Sequence, residues 1–170
     1  EIYPVDKLFA RMALNLEPKE KIILQLGRLV PRKGVDNVIK AVAHMRREHN
    51  FKARLLVVGG ESEEPDPEIT PEIGRLQKLA ETEGIRDLVT FVGRRSRNML
   101  HYYYSAVDVF TTTPWYEPFG ITPLEAMACG TPVIGSNVGG IKSTIVDGKT
   151  GFLVPPNNPA ILSQRIIELL

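Results

Sequence analysis

The chain has 170 residues, of which 43% are apolar, and this is enough to build one hydrophobic core. Its 21 basic and 20 acidic residues leave a formal net charge of +1, so the protein has no broad positive field with which to hold nucleic acid. The single cysteine, Cys129, excludes an internal disulfide and a cysteine-rich metal cluster, and it is typical of a reducing compartment. We therefore expect one cytoplasmic domain that binds any anionic ligand at a local site.

The sequence carries no recognisable membrane or export signal. No apolar run approaches the roughly 20 residues with which a helix crosses a bilayer, and the N-terminus lacks the layout of a signal peptide. The sequence starts abruptly at Glu1–Pro4 and stops at Leu170 inside a predicted helix. These features predict a fragment of a longer protein, without a transmembrane segment.

Strand and helix patterns alternate along the chain. Short apolar runs rich in β-branched residues predict buried strands, and apolar residues at every third or fourth position predict helices. In chain order, the predicted elements are a short helix at 7–16, strand 22–26, helix 35–48, strand 53–58, helix 71–83, strand 89–92, helix 98–105, strand 107–113, a helix from 121–123 to 130, strand 133–136, a helical turn after 140, strand 151–154 and helix 159–170.

Six strands separated by helices predict an α/β fold with a doubly wound parallel sheet that is covered on both faces. In the strand order 3-2-1-4-5-6, strands one and four are neighbours where the winding reverses, and ligands bind beyond their carboxyl ends. Strand one is followed by GRLVPRKG at 27–34, and strand four is followed by PWYEPFG at 114–120. These two turns, which carry charged residues and glycines, are therefore expected to meet at one crevice.

The stretch TTTPWYEPFGITPLEAMACG, residues 111–130, combines the end of a strand, an irregular turn and a helix. Pro123 suits the first turn of that helix, because the amide hydrogen that proline lacks would have no partner there. Backbone N–H groups of 119–122 should then point out of the helix start, and such a start attracts phosphate. Glu117 and Glu125 place a carboxylate on either side of it.

The segments GRLVPRKG, EPFGITPLEAMACGTPVIGSNVGG and DGKTGFLVPP together resemble the nucleotide-binding half of a retaining glycosyltransferase. The family is the fourth sequence family, which includes glycogen synthase and sucrose-phosphate synthase relatives. The resemblance runs from about Ile22 to the end, and its most specific motif is Glu117, seven residues, then Glu125. It implies a Rossmann-like C-terminal half of the two-domain GT-B fold, in which 1–20 connects to an N-terminal acceptor domain.

The same resemblance implies roles for individual residues. Arg28 and Lys33 match the basic pair on the donor diphosphate, and Glu117 matches the carboxylate near the transferred sugar, so these three are the candidate catalytic residues. Glu125 matches the carboxylate that holds the ribose hydroxyls. Further donor contacts are implied for Gly27, Arg94, Phe119, Gly120, Ile121 and Thr122. Strand one is not followed by GxGxxG, so a dinucleotide is not indicated.

The resemblance also implies the reaction, which is transfer of a hexosyl group to an acceptor hydroxyl with retained configuration. UDP-glucose is the leading donor hypothesis, and no metal or other cofactor is expected. The acceptor, a sugar or a lipid, would be bound mainly by the N-terminal domain, so this fragment alone should turn over little or nothing. Peripheral membrane contact of the longer protein is left open.

Structural explanations compete with these roles. Glu125 lies three residues after Thr122, the spacing of a capping box, so the residues alone leave capping and ribose binding open. The arginines after strand three are more typical of a solvated loop, and these are Arg94, Arg95 and Arg97. Two glycine pairs, Gly59–Gly60 and Gly139–Gly140, are expected in turns with positive φ. Cys129 is interpreted as a small buried hydrophobe, and His101 as a helix packing residue.

Two other functions are compatible with the fold. A sugar-nucleotide epimerase of the same architecture would need acid–base residues on the donor sugar, and the chain offers no paired His and Glu motif for them. A non-catalytic nucleotide-binding scaffold would not need Arg28, Lys33 or Glu117, and all three are present. The glycosyltransferase hypothesis is therefore preferred.

Overall fold

A six-stranded sheet forms the centre of the structure, and the computed structural model describes residues 1–170. All neighbouring strands pair in parallel, in the order β3-β2-β1-β4-β5-β6, so the predicted doubly wound sheet is confirmed. The strands are β1 (Ile22–Leu26), β2 (Arg54–Val58), β3 (Val89–Gly93), β4 (Val109–Thr112), β5 (Val133–Ser136) and β6 (Gly151–Val154).

Seven α-helices accompany the strands, close to the positions that the sequence predicts. They are α1 (Lys7–Ala13), α2 (Val35–His49), α3 (Pro71–Thr82), α4 (Leu100–Ala106), α5 (Ile121–Ala128), α6 (Ile141–Thr144) and α7 (Pro159–Leu169). The first helix is shorter than predicted, because Asn15 adopts a positive φ of 57°. The predicted helix at 98–105 instead begins as a 3₁₀ turn, Arg97–Met99, that leads into α4. No helix has both the length and the apolar character that a bilayer crossing requires.

The helices cover the two faces of the sheet and create two separate cores. Helices α2, α3 and α7 contribute to a cluster of 24 buried residues, and α4, α5 and α6 contribute to a second cluster of 13. The predicted apolar face of α2 is confirmed, because Val38, Val42 and Met45 are fully buried. Burial on both faces explains why β1, β2, β4 and β5 are buried almost continuously, whereas the edge strands β3 and β6 are only partly buried.

The N-terminal segment packs onto the domain through a buried arginine. Arg11 is only 2% exposed, and its guanidinium donates to the carbonyl oxygen of Ala106 at 2.7 Å and to Asp108 at 3.0 Å. Burial opposes the charge of Asp108, but hydrogen bonds from Lys7 and the Ile22 N–H hold the pKa of that carboxyl below its usual range. The predicted connecting segment, 1–20, is thus fixed against α4 in this structure; its role as a connection stays a prediction.

Candidate functional site

A cavity of about 210 Å³ lies at the carboxyl ends of β1 and β4, where the winding of the sheet reverses. Seven of the predicted site residues line it: Gly27, Arg28, Lys33, Glu117, Phe119, Ile121 and Thr122. Arg28 also borders two further cavities of about 180 and 210 Å³, which extend toward β2 and β3. The three cavities adjoin at Arg28, and together they are called the cleft.

The turn after β1 supplies the basic side of this cleft. Arg28 is exposed, and its guanidinium makes no hydrogen bond or ion pair within the protein. Lys33 ends a 3₁₀ turn, Pro31–Lys33, and is followed by Gly34 in the left-handed region at φ 66°. A Cβ atom at Gly34 would lie 2.0 Å from the carbonyl oxygen of Thr113, so only glycine fits this approach of the two turns.

Two hydrogen bonds fasten the turn after β4 to the turn after β1. The Thr113 hydroxyl donates to the carbonyl oxygen of Gly34 at 2.8 Å, and the Trp115 N–H donates to that of Arg32 at 2.9 Å. Because both bonds involve main-chain atoms, they set the relative position of the two turns whatever the side chains at the cavity do. The side chains of Lys33 and Glu117 are thereby brought together.

Lys33 and Glu117 form an ion pair inside the cavity. The Nζ atom of Lys33 lies 2.6 Å from Oε1 of Glu117, and the two side chains are 20% and 21% exposed. The sequence predicts both residues at the crevice but does not indicate that they bind each other. They are 84 positions apart, so no local pattern could indicate the pairing.

The helix start beside this pair presents unused hydrogen-bond donors. Helix α5 has Gly120 as its N-cap, at φ 69°, with no side-chain cap. The N–H groups of 119–122 form no hydrogen bonds within the protein. A helix of eight residues with free N–H groups carries a positive end, which favours an anion at this wall of the cavity.

The glycines after β5 contact the main chain of Glu117 and fix the position of its turn. The Gly140 N–H donates to the carbonyl oxygen of Glu117 at 2.7 Å, and a Cβ atom at Gly139 would lie 1.9 Å from that oxygen. Gly139 has the predicted positive φ, at 46°, but Gly140 has φ −69°. The expectation of positive φ is therefore wrong for Gly140, where the close approach of Phe119 and Pro118 requires glycine instead.

Glu125 lies in a different environment, buried between α5 and α4 at 8% exposure. The Tyr104 hydroxyl donates to its Oε1 at 3.0 Å, and Arg97 pairs with its other oxygen. Burial, and then the charge of Glu125, raise the pKa of Tyr104 far above its usual range. Thr122 lies inside the helix and Gly120 is the N-cap, so the capping-box alternative is wrong. Glu125 does not line the cavity that holds Glu117.

Three arginines follow β3 at the surface, and two of them, Arg95 and Arg97, have partners within the protein. Arg95 is half-buried and donates to the carbonyl oxygen of Glu63 at 2.8 Å, whereas Arg97 pairs with Glu125 but keeps 64% of its side chain exposed, so the solvated-loop interpretation fits Arg97. Arg94 is exposed and borders the part of the cleft near β3. No sequence pattern indicates Arg97 and Tyr104 as partners of Glu125, because the contacts span 28 and 21 positions.

The interpretations of Cys129 and His101 are confirmed. Cys129 is 7% exposed, and burial raises the pKa of its thiol, which makes it a poor nucleophile. His101 is 5% exposed and stacks on Tyr3, with ring centroids 4.4 Å apart. Neither residue borders the cleft.

Comparisons with known proteins agree with this architecture. Residues 6–170 match the sequence family described as Glycosyl transferases group 1. The chain is 35% identical to D-inositol 3-phosphate glycosyltransferase 2 of Catenulispora acidiphila, over 98% of this chain and 39% of that protein. It is 40% identical to the solved sucrose-phosphate synthase of Thermosynechococcus elongatus, with a TM-score of 0.88 over 99% of this chain and 40% of that one.

A further solved structure is Anabaena HepE in complex with UDP and glucose, at 25% identity and a TM-score of 0.80, over 97% of this chain and 45% of that one. The chain thus spans about two fifths of the length of the relatives it matches. Because the family match covers the chain almost completely, the chain belongs to the glycosyl transferase group 1 family and has the Rossmann-like fold of one half of a GT-B glycosyltransferase.

Proposed function

We propose that the chain is the donor-binding domain of a retaining glycosyltransferase that moves a hexosyl group, with UDP-glucose as the leading donor. One observation carries the proposal: a lysine–glutamate pair and a helix start with unused N–H groups share one cavity at the switch point of the sheet. One relative supports the choice of donor: Anabaena HepE was solved in complex with UDP and glucose.

The donor diphosphate would lie between Lys33, Arg28 and the start of α5. Lys33 supplies a compact charge, Arg28 supplies a planar fork of donors, and the free N–H groups of 119–122 supply fixed dipoles. As the bond from the sugar to the phosphate breaks, negative charge grows on the departing diphosphate. Once the donor is bound, these groups are in place and stabilise the growing charge without further reorganisation, which is usually the largest catalytic contribution of a protein.

The transferred sugar would lie beyond the phosphates, beside Glu117. The Glu117 main chain is fixed by the hydrogen bond from Gly140, so its carboxylate can accept hydrogen bonds from sugar hydroxyls at a defined place. In a retaining reaction the acceptor hydroxyl attacks on the face that the diphosphate leaves, and the leaving phosphate can take its proton. Glu117 then orients the sugar and need not bond to it.

The nucleoside would extend along the cleft toward β3. Glu125 is the proposed ribose residue by the family resemblance; it is 8% exposed and lines none of the three cavities, so the ribose would approach it from outside them. Arg94 borders the end of the cleft that is left for the nucleobase.

Since Lys33, Arg28 and the helix start supply positive charge, we expect no metal cofactor. An N-terminal domain of a longer protein would bind the acceptor, and we expect that protein to act in the cytoplasm.

Calorimetric titration of the protein with UDP, GDP and ADP, and then with UDP-glucose, tests the proposal. We expect UDP to bind more tightly than the other two diphosphates, and UMP to bind more weakly than UDP because it lacks the second phosphate. A chelator should leave the affinity for UDP unchanged. If UMP and UDP bind alike, the cavity does not hold a diphosphate; if no nucleotide binds, the donor-binding function is wrong.

A further inference from the structure

Lys33 and Glu117 meet inside the proposed donor cavity, and each is the only side-chain partner of the other. We propose that this ion pair is a latch operated by the donor: the diphosphate takes Lys33 away from Glu117, and the freed carboxylate then holds the sugar. The proposal rests on the proposed function of the cavity and adds an order of events to it. Glu117 thereby weakens binding of the diphosphate, because it holds Lys33, and strengthens binding of the sugar.

The strength of the pair suits such an exchange. The two side chains are 20% and 21% exposed, and ion pairs that water reaches shift an equilibrium by roughly twofold to fivefold. A charge-assisted hydrogen bond from lysine to phosphate is worth roughly tenfold or more, and the diphosphate offers several negative oxygens. The diphosphate therefore wins the competition for Lys33, although the pair reduces its net gain.

The backbone around the pair does not need to move when it opens. The Trp115 N–H holds the carbonyl oxygen of Arg32 at 2.9 Å, and the Gly140 N–H holds that of Glu117 at 2.7 Å. Both bonds are independent of the two charged side chains. Rotation of the Lys33 and Glu117 side chains is thus enough to exchange partners, and both charges stay within the same cavity.

The latch makes a specific prediction about coupling. In the proposed latch a diphosphate without a sugar breaks the pair and leaves Glu117 without a new partner, whereas a sugar donor gives Glu117 hydroxyl groups to bind. Removing the charge of Glu117 should therefore strengthen binding of the bare diphosphate, and this gain should require Lys33. A general repulsion between Glu117 and phosphate would instead act whether Lys33 is present or not.

A double-mutant cycle measures this coupling. The proteins are wild type, Glu117→Gln, Lys33→Met and the double variant, and the ligands are UDP and inorganic pyrophosphate, titrated by calorimetry at one ionic strength. Glu117→Gln should tighten binding of both ligands by roughly threefold to fivefold, and in the Lys33→Met background it should change binding by less than about twofold. The matched control is Arg32→Met, which removes the same charge from an exposed neighbour that has no ion pair. In that background the gain from Glu117→Gln should persist.

Each other result has a defined meaning. Equal gains in the wild-type and Lys33→Met backgrounds, no gain, or weaker binding after Glu117→Gln would each overturn the latch. If pyrophosphate follows the predicted cycle while UDP does not bind, the latch stands and the nucleotide assignment falls. If UDP binds but no coupling appears, the donor site stands and the latch falls. If neither ligand binds the wild-type protein, both are wrong.

Discussion

The two glutamates of the motif, Glu117 and Glu125, are held in opposite ways. Glu117 lies on a turn, is 21% exposed at its side chain and has one charged partner, Lys33. Glu125 lies on a helix, is 9% exposed at its side chain and has two partners, Arg97 and Tyr104. One carboxylate can therefore exchange its partner at low cost, and the other is fixed in place before any ligand arrives.

This difference follows from where the main chain of each residue is anchored. The position of Glu117 depends on backbone contacts with the glycines after β5, so its side chain is free to serve a ligand. The position of Glu125 depends on α5 and on side chains from α4 and the preceding 3₁₀ turn. Within one motif, the structure thus separates a carboxylate suited to a changing substrate from one suited to an unchanging nucleoside.

The largest effect on the Glu117 side is expected from Gly139→Ala. The new Cβ atom would lie 1.9 Å from the carbonyl oxygen of Glu117, on a backbone with φ 46°. Left-handed strain and overpacking together should lower the free energy of unfolding by about 2 to 5 kcal/mol. Gly148→Ala is the matched control, because Gly148 has φ 79° and no atom within 4 Å of its Cβ position. Urea unfolding should show the larger loss for Gly139→Ala; equal losses would mean that the Glu117 turn is not held by this contact.

The two basic residues of the cavity that holds Glu117 should contribute to ligand binding rather than to folding. Arg28→Ala or Lys33→Ala should each weaken UDP binding by about 1.5 to 3 kcal/mol, the usual worth of a charge-assisted hydrogen bond. Arg32→Ala removes an equal charge outside the cavity and should change UDP affinity by less than about 0.5 kcal/mol. Calorimetry on the three variants decides the matter. Equal losses of UDP affinity in all three variants would mean that only the net charge of the protein matters and that Arg28 and Lys33 do not contact the diphosphate.

Glu125→Gln should affect the nucleoside and not the sugar. We expect the loss of binding free energy to be about 1 kcal/mol larger for UDP than for deoxy-UDP, because one charged acceptor for the ribose hydroxyl is lost. Glu117→Gln is the control and should leave the ratio of the two affinities unchanged. The comparison of the two glutamates is contradicted if the ratio stays constant in Glu125→Gln, or if it changes equally in both variants.

An effect no larger than that of Glu125→Gln is expected from Tyr104→Phe, which removes the hydroxyl that holds Glu125. At neutral pH the variant should be about 1 kcal/mol less stable than the wild type. Because the pKa of Tyr104 is raised in the folded protein, its hydroxyl contributes stability that is present below about pH 10 and is lost as the pH rises further. The difference in free energy of unfolding between the wild type and the variant should therefore become smaller above about pH 10, as measured by urea unfolding. The exposed Tyr116, changed to Phe, is the control and should show no such narrowing; a gap that stays constant would contradict the buried contact.

The sequence was sufficient to predict the fold because the patterns that set it are local. The run IILQL is β1, and PVIGS contains β5, since buried parallel strands are short apolar runs whatever surrounds them. The order of the strands followed from the winding rule, which also placed the turns after β1 and β4 together. The differences are confined to ends, such as the early stop of α1 at Ala13.

The candidate site was only partly predictable, because its contacts join distant positions. The residues at the cavity could be named from their turns, but the pairing of Lys33 with Glu117 depends on how two turns pack. The same holds for Glu125, whose spacing from Thr122 favours a capping box equally well. Only the structure shows that Glu125 faces Tyr104 and Arg97 instead.

The most direct test of the account is whether Glu117 distinguishes a sugar nucleotide from the nucleotide alone. UDP and UDP-glucose are titrated into the wild type and Glu117→Ala under the same conditions. We predict that Glu117→Ala binds UDP at least as tightly as the wild type does, while the added affinity for UDP-glucose, about 1.5 kcal/mol or more for hydrogen bonds to a carboxylate, disappears. If Glu117→Ala instead weakens UDP and UDP-glucose alike, Glu117 does not hold the sugar and the proposed arrangement of the donor is wrong.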